Sequence, residues 1–172
     1  MKARMASILV AAVIAMAATV DAQDRRDAII GDEIARQVTA YTQLTIFDDV
    51  NAAVENGVVT LTGKVTMPFK RDDIAKRIAG IDGVREVQNR IDVLPVSSFD
   101  DELRHRVARA IYGNPSFWSY ATMANPPIHI IVERGHVTLT GVVNSNVERA
   151  LARSLATGCG ELSVNNLLRT EM

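Results

Sequence analysis

Cysteine is nearly absent from this chain: Cys159 is the only one. No internal disulfide can form, so whatever folds here must hold by its own core. A lone thiol between Gly158 and Gly160, just after an expected helix, reads as a small packing residue more readily than as a reactive centre. Aromatic residues are also scarce, at 5% of the chain, which makes any local cluster of them informative. Basic tracts are missing, and the net charge of −1 lacks the electrostatic footprint of a nucleic-acid binder. That balance also argues against wholesale adsorption to anionic lipid, while leaving room for a local basic patch. A run of about 20 apolar residues, the length needed to cross a bilayer, does not occur. The longest, from Ile8 to about Ala18, is shorter and rich in alanine.

That run has another reading. Lys2 and Arg4 precede it, and Val20, Asp21 and Ala22 follow, with small residues at −3 and −1. The pattern is that of a secretory signal peptide over residues 1–22, cleaved after Ala22. No cysteine follows the apolar stretch, so lipid attachment has no acceptor. The expected product is soluble and exported, with residues 23–31 as a polar, flexible lead-in.

What is present in abundance is repetition. Val54 to Gly63 and Val132 to Gly141 lie 78 positions apart and differ at two of ten positions. Each contains a hairpin turn followed by an alternating strand. Asn56-Gly57 suits a type I′ turn, whose two central residues need positive φ; Arg134-Gly135 takes that place in the second copy. A repeat of this kind decides the architecture first.

Around each hairpin the same order of elements is expected. A helix from Asp32 carries Ile34, Val38 and Tyr41 at helical spacing. Strands over 49–54 and 59–65 pair Val54 with Val59 and Ala52 with Leu61, so both apolar rows face one core. A helix over 69–79 buries Ile74 and Ile78 and leaves Lys70, Arg71, Asp72, Asp73, Lys76 and Arg77 in solvent. A third strand, 84–93, carries Val87 and Ile91 with Asn89 between them. The first domain thus spans 32–94 and a linker, 95–100, joins it to a second over 101–170. There Leu103, Val107 and Ile111 form the helix stripe, capped by Asp100 or Asp101. Ser145 and Glu148 open the fourth helix as a capping box, with Val147, Leu151 and Leu155 inside. The fold class is α+β: two tandem α-β-β-α-β modules, each a three-stranded sheet with two helices on one face.

One segment has no counterpart in the first copy. Residues 112–127 lengthen the connection between helix and strand by nine residues and hold Trp118, Phe117, Tyr112, Tyr120 and Met123. Inserted segments often carry divergent function. The other reading is that these aromatics fold back over a core too small to close alone.

The combined pattern resembles the BON domain. In the first copy the resemblance rests on Val54, Asn56-Gly57, Val59 to Gly63, Gly83-Val84, Val87, Asn89 and Ile91. In the second it rests on Val132, Gly135, Val137 to Gly141, Gly160, Val164, Asn166 and Leu168, with departures at Arg134, Glu161 and the insertion. Two copies behind a signal peptide are similar to the tandem BON proteins of the Gram-negative periplasm. The resemblance implies association with phospholipid membranes and a part in envelope integrity or osmotic stress. It supplies no catalytic residues to carry over.

The residues themselves point the same way. His129 and His136 fall opposite Thr140 and Glu133, four residues apart along the sheet, or about 13 Å at about 3.3 Å per residue. Nitrogens that share a zinc each lie about 2.0–2.1 Å from it, so this pair holds none. No nucleophile–base pairing or phosphate-cradling loop is visible, and no catalytic residue, cofactor, metal or small-molecule substrate is expected. Binding remains. Arg104, Arg106 and Arg109 flank the apolar stripe of the third helix, and Tyr112, Phe117, Trp118 and Tyr120 follow. Cationic side chains reach phosphates while Trp and Tyr suit a membrane–water interface. The expected partner is a phospholipid surface, and the alternative is a protein-interaction or chaperone-like module that binds other envelope proteins.

Overall fold

The computed structural model describes residues 23–170. The expected signal peptide, 1–22, lies outside them, as do residues 171 and 172.

Residues 23–39 form the first helix, α1. The expectation of a flexible lead-in over 23–31 is therefore wrong: Ile30 and Ile34 are both buried, one turn apart on the face that meets the sheet. Of the charged residues that suggested a loose segment, Asp24, Arg25 and Arg26 are exposed, whereas Asp27 turns toward the sheet. Strands β1 (Asp49–Glu55) and β2 (Val58–Val65) follow, then α2 (Pro68–Ala79) and β3 (Glu86–Val93). The hairpin is antiparallel with Val54 opposite Val59 and Ala52 opposite Leu61, and β3 joins β2 in parallel. The second module repeats this with α3 (Ser98–Tyr112), β4 (Ile128–Glu133), β5 (His136–Val143), α5 (Asn146–Ala156) and β6 (Ser163–Asn166). A short extra strand, β7 (Arg169–Thr170), also pairs with β5, and between α3 and β4 lie a 3-10 turn (Pro115–Phe117) and a single helical turn, α4 (Trp118–Ala121).

Each hairpin turn is left-handed at both central residues, with φ of 53° and 75° at Asn56 and Gly57 and 51° and 78° at Arg134 and Gly135. A carboxylate on the first helix of each module holds it. The two oxygens of Asp27 accept the Asn56 and Gly57 amides at 2.6 and 3.0 Å, and those of Asp100 accept the Arg134 and Gly135 amides at 2.8 Å each. Asp100 is thus no cap; Ser97 is, its hydroxyl accepting the Asp100 amide, so the linker ends before Ser98. The matching carboxylates stand 73 positions apart while the hairpins stand 78 apart. The helices correspond at that shorter offset, and the insertion is five residues, not nine.

A second polar device recurs. The Asn89 side chain donates to the Arg71 carbonyl on α2 at 3.1 Å and accepts the Ile91 amide, and Asn166 does the same with Arg149 and Leu168. Each ties the last strand to the second helix.

Several charged residues expected in solvent are structural. Lys70 is 6% exposed and pairs with Asp48, itself 2% exposed, at 2.7 Å. Asp48 also accepts the amides and hydroxyls of Thr45 and Thr66. Burial alone would raise its pKa; the Lys70 bond and those four donors outweigh it and hold the carboxyl below its usual range. Asp73 accepts from the Tyr41 hydroxyl at 2.8 Å, and Arg77 lies 4.9 Å above the Tyr41 ring. Burial and the Asp73 contact push that phenol up to about 12. In α5 Leu151 and Leu155 pack against the core as expected, but Ala152 and Ala156 are the fully buried residues and Val147 is 77% exposed, contrary to expectation. Small residues there let α5 approach α3 closely.

The two cores are not independent. The loop braced by Asp48 reaches across to the second module, where the Ile46 carbonyl accepts the Ile130 amide at 2.7 Å. Ile46 and Phe47 pack against the second core, and the Phe47 ring sits 5.2 Å from that of His105. Lys64 forms an ion pair with Glu133.

Replacing Asp48 by Asn leaves Lys70 buried without its counter-charge and should cost about 3 kcal/mol, read as a shift of the urea midpoint at constant slope. Because the folded carboxyl titrates below its unfolded value, its stabilisation is present above the ordinary carboxylate range and lost as pH falls through it. The Asn variant should accordingly lose less stability than the parent between neutral and acid pH.

Candidate binding site

The expected site was the basic flank of α3 with the aromatics that follow. The structure separates those seven residues into two groups. Arg104 is 4% exposed; it pairs with Asp101 and donates to the Val132 carbonyl at 2.7 Å. It caps the outer edge of β4 and does not reach solvent. Phe117 is fully buried and lies 6.0 Å, centroid to centroid, from the ring of Tyr120, which is 4% exposed. The Tyr120 hydroxyl donates to Glu148 at 2.7 Å and accepts the Asn144 amide, joining the insertion to the start of α5. Tyr112 donates to the Ile128 carbonyl at 2.5 Å and accepts the Ile128 amide, and burial drives its phenol well above the usual value. These four residues close the second core.

The other three face outward. Arg109, in the last turn of α3, is exposed, and Arg106 is half-buried with Glu102 3.5 Å away. Trp118 is 60% exposed although its neighbours in the insertion, Phe117 and Tyr120, are locked inside. Met123 and Val147, which sequence reasoning did not select, are exposed on segments joined at the same Tyr120–Glu148–Asn144 junction. The missed signal was the phase of α5: setting it on Ala152 and Ala156 would have turned Val147 outward. The result is an exposed indole on a segment whose neighbouring aromatics are buried, with Met123 and Val147 exposed on adjoining segments.

A second concavity lies between the modules, a cleft of about 440 Å³ bounded by Lys64 from the first and by Ile131, Glu133, His136 and Thr140 from the second. The Lys64 ammonium bonded to Glu133 holds that carboxyl below its usual range. The ion pair neutralises Lys64 and Glu133, while Asp49, Arg134 and His136 line the cleft beside threonine hydroxyls and aliphatic carbon. His129 and His136 sit opposite Thr140 and Glu133 in the ladder. Among the described residues no group of three or more His, Cys, Asp or Glu is arranged to hold a metal ion. Burial raises the pKa of the Cys159 thiol, with Glu161 adding to the effect, which keeps it protonated; its Sγ faces the Leu155 carbonyl. No described helix is long and apolar enough to cross a membrane.

Fold and surface together define a pair of α+β binding modules, each a helix-backed sheet with its hairpin tip clamped by a carboxylate. The chain belongs to the BON domain family, whose model matches it twice, over residues 26–95 and 100–172. No protein of curated function matches it. Among solved structures, one from Chlamydia trachomatis described as CdsD, a structural protein of the type III secretion system, is 14% identical. It covers 71% of this chain and 86% of its own, with a TM-score of 0.28. The C-terminal domain of the same protein is 12% identical over 73% and 91%, with a TM-score of 0.24. Superpositions this loose carry no weight for fold or function.

The division within the insertion is measurable. Phe117→Ala empties a fully buried site and should cost about 3–5 kcal/mol, whereas Trp118→Ala should stay within about 1 kcal/mol. Paired urea titrations check both; equal losses would mean that the indole also belongs to the core.

Proposed function

We propose that this protein is an exported, non-enzymatic component of the bacterial envelope, working in the periplasm, whose second module binds phospholipid surfaces and so supports envelope integrity under osmotic stress. BON-domain membership supports this, because the family consists of binding domains associated with periplasmic and membrane-linked proteins. The observation that carries it is Trp118, held 60% exposed between two immobilised aromatic neighbours. A large amphipathic ring presented without a conformational-entropy cost suits the headgroup boundary of a bilayer. Arg109, exposed in the last turn of α3, and the half-buried Arg106 supply cationic groups on the helix that leads into the insertion. Each cation near an anionic surface contributes about 1 kcal/mol, so the two together give weak, reversible attachment and the indole must supply the remainder. Tyr112, Phe117 and Tyr120 hold the insertion on the second core beneath Trp118, while Arg104 braces the edge of β4.

Co-sedimentation with phosphatidylcholine vesicles containing phosphatidylglycerol tests the reading. The full chain should pellet at low salt and release as salt rises. Arg109→Ala should weaken binding about fivefold, as expected for the loss of about 1 kcal/mol, and Trp118→Ala should weaken it more. A chain that stays in the supernatant, or a Trp118→Ala variant that pellets unchanged, sinks the proposal in favour of a protein partner.

A further inference from the structure

The duplicated modules treat the outer edge of their first strand differently. In the second module that edge is closed at two points. The Ile130 amide donates to the Ile46 carbonyl from the first module, and the Val132 carbonyl accepts from Arg104 on α3, both at 2.7 Å. Ile46 and Phe47 fill the space between α3 and β4, and Ile130 and Val132 are fully buried.

In the first module the same register positions are Ala52 and Val54, 78 residues earlier, and they pair inward with Leu61 and Val59 as Ile130 and Val132 pair with Leu139 and Val137. In an antiparallel ladder a shared register means shared directions: the backbone N–H and C=O of Ala52 and Val54 point away from β2. Nothing described meets them. The three-stranded sheet ends at β1, and Ala52 is exposed where Ile130 is buried. Across from them, at the helix position where the second module has Arg104, the first has Gly31. A Cβ built there meets nothing within 4 Å. Helix and strand therefore bound an open groove of about 540 Å³, floored by Gly31, Ala52 and Val54 and rimmed by Asp24 and Glu55.

We propose that this groove docks an extended segment of a partner protein, one that adds to β1 as a strand and turns a bulky apolar side chain toward α1 with a basic residue beside it. Three features select that occupant. Outward-facing backbone groups on β1 call for a strand, because only another backbone satisfies them in series. The space between α1 and β1 is apolar at its floor and matches the space that Ile46 and Phe47 fill in the second module. The acidic rim is complementary to a cation, and the open position at Gly31 faces the Val54 carbonyl, whose counterpart is capped by Arg104. An anionic bilayer fits none of these, since the acidic rim repels it and a bilayer offers no backbone to pair with β1. The inference thus stands apart from the lipid reading of Trp118.

The test uses the full chain, labelled with nitrogen-15, and a synthetic peptide, Arg-Thr-Ile-Phe-Arg, built on the chain's own plug with basic ends. Binding should shift the amide signals of Ala52 and Val54 and slow their hydrogen exchange. The acidic control, Glu-Thr-Ile-Phe-Glu, should bind at least about tenfold more weakly, the effect of about 1.4 kcal/mol. Gly31→Arg installs the side chain that closes the other module; arginine also favours helix over glycine. It should reduce peptide affinity about tenfold or more while melting temperature and vesicle pelleting hold. Should Gly31→Arg misfold, Ala52→Pro removes one outward N–H from an edge strand and leaves the ladder to β2 intact. Absence of shifts at Ala52 and Val54, or undiminished peptide binding by a folded Gly31→Arg or Ala52→Pro variant, overturns the proposal.

Discussion

One carboxylate per module, set near the start of its first helix and accepting both amides of a left-handed turn, is the contact on which this architecture rests. The turn brings two backbone N–H groups into one concavity, and in Arg134 it forces a side chain into a conformation that L-residues disfavour. Asp27 and Asp100 offset that strain and at the same time fasten the helix to the hairpin tip. With the tip fixed at one end, and Asn89 or Asn166 tying the last strand to the second helix, the apolar faces of helix and sheet are held in register. Hydrophobic burial supplies most of the stability; these polar contacts decide which arrangement receives it.

Duplication preserved those contacts and altered what surrounds them. At the third position of the second helix the first module has Lys70 and the second has Glu148. Each anchors the loop ahead of the first strand, Lys70 through Asp48 and Glu148 through the Tyr120 hydroxyl. The charge has reversed and the anchored group has changed, yet the job is the same. In the first module the braced loop is short and carries Ile46 and Phe47 into the neighbour's core. In the second it is five residues longer, folds its aromatics beneath itself and turns Trp118 outward.

Much of this was legible in the chain because its signals are local. Asn56-Gly57 specifies a turn, and a turn with alternating apolar flanks specifies a register that the structure reproduces residue for residue. The tandem family assignment followed from the same stretch. The misreadings share a different cause. Lys70 resembled a solvated helix charge because its partner, Asp48, lies 22 residues back across a strand pair, and Arg104 resembled a surface cation because its acceptor is a distant carbonyl. Residues 23–31 looked loose because their charges outnumber Ile30, the buried residue that fixes the leading half of α1 on its core. Of the seven residues picked for a lipid surface, Arg104, Phe117 and Tyr120 are buried by partners distant in sequence, and only tertiary packing separates them from the exposed Arg109 and Trp118.

The loop carrying Ile46 and Phe47 gives the molecule a direction. Two copies of one fold joined head to tail are not interchangeable beads here, because the leading copy contributes part of the trailing one's interior. Reversing their order would strip β4 of its cover and leave the donor loop with nothing to enter. The tandem is therefore polar: the leading copy lends a segment and the trailing copy receives it.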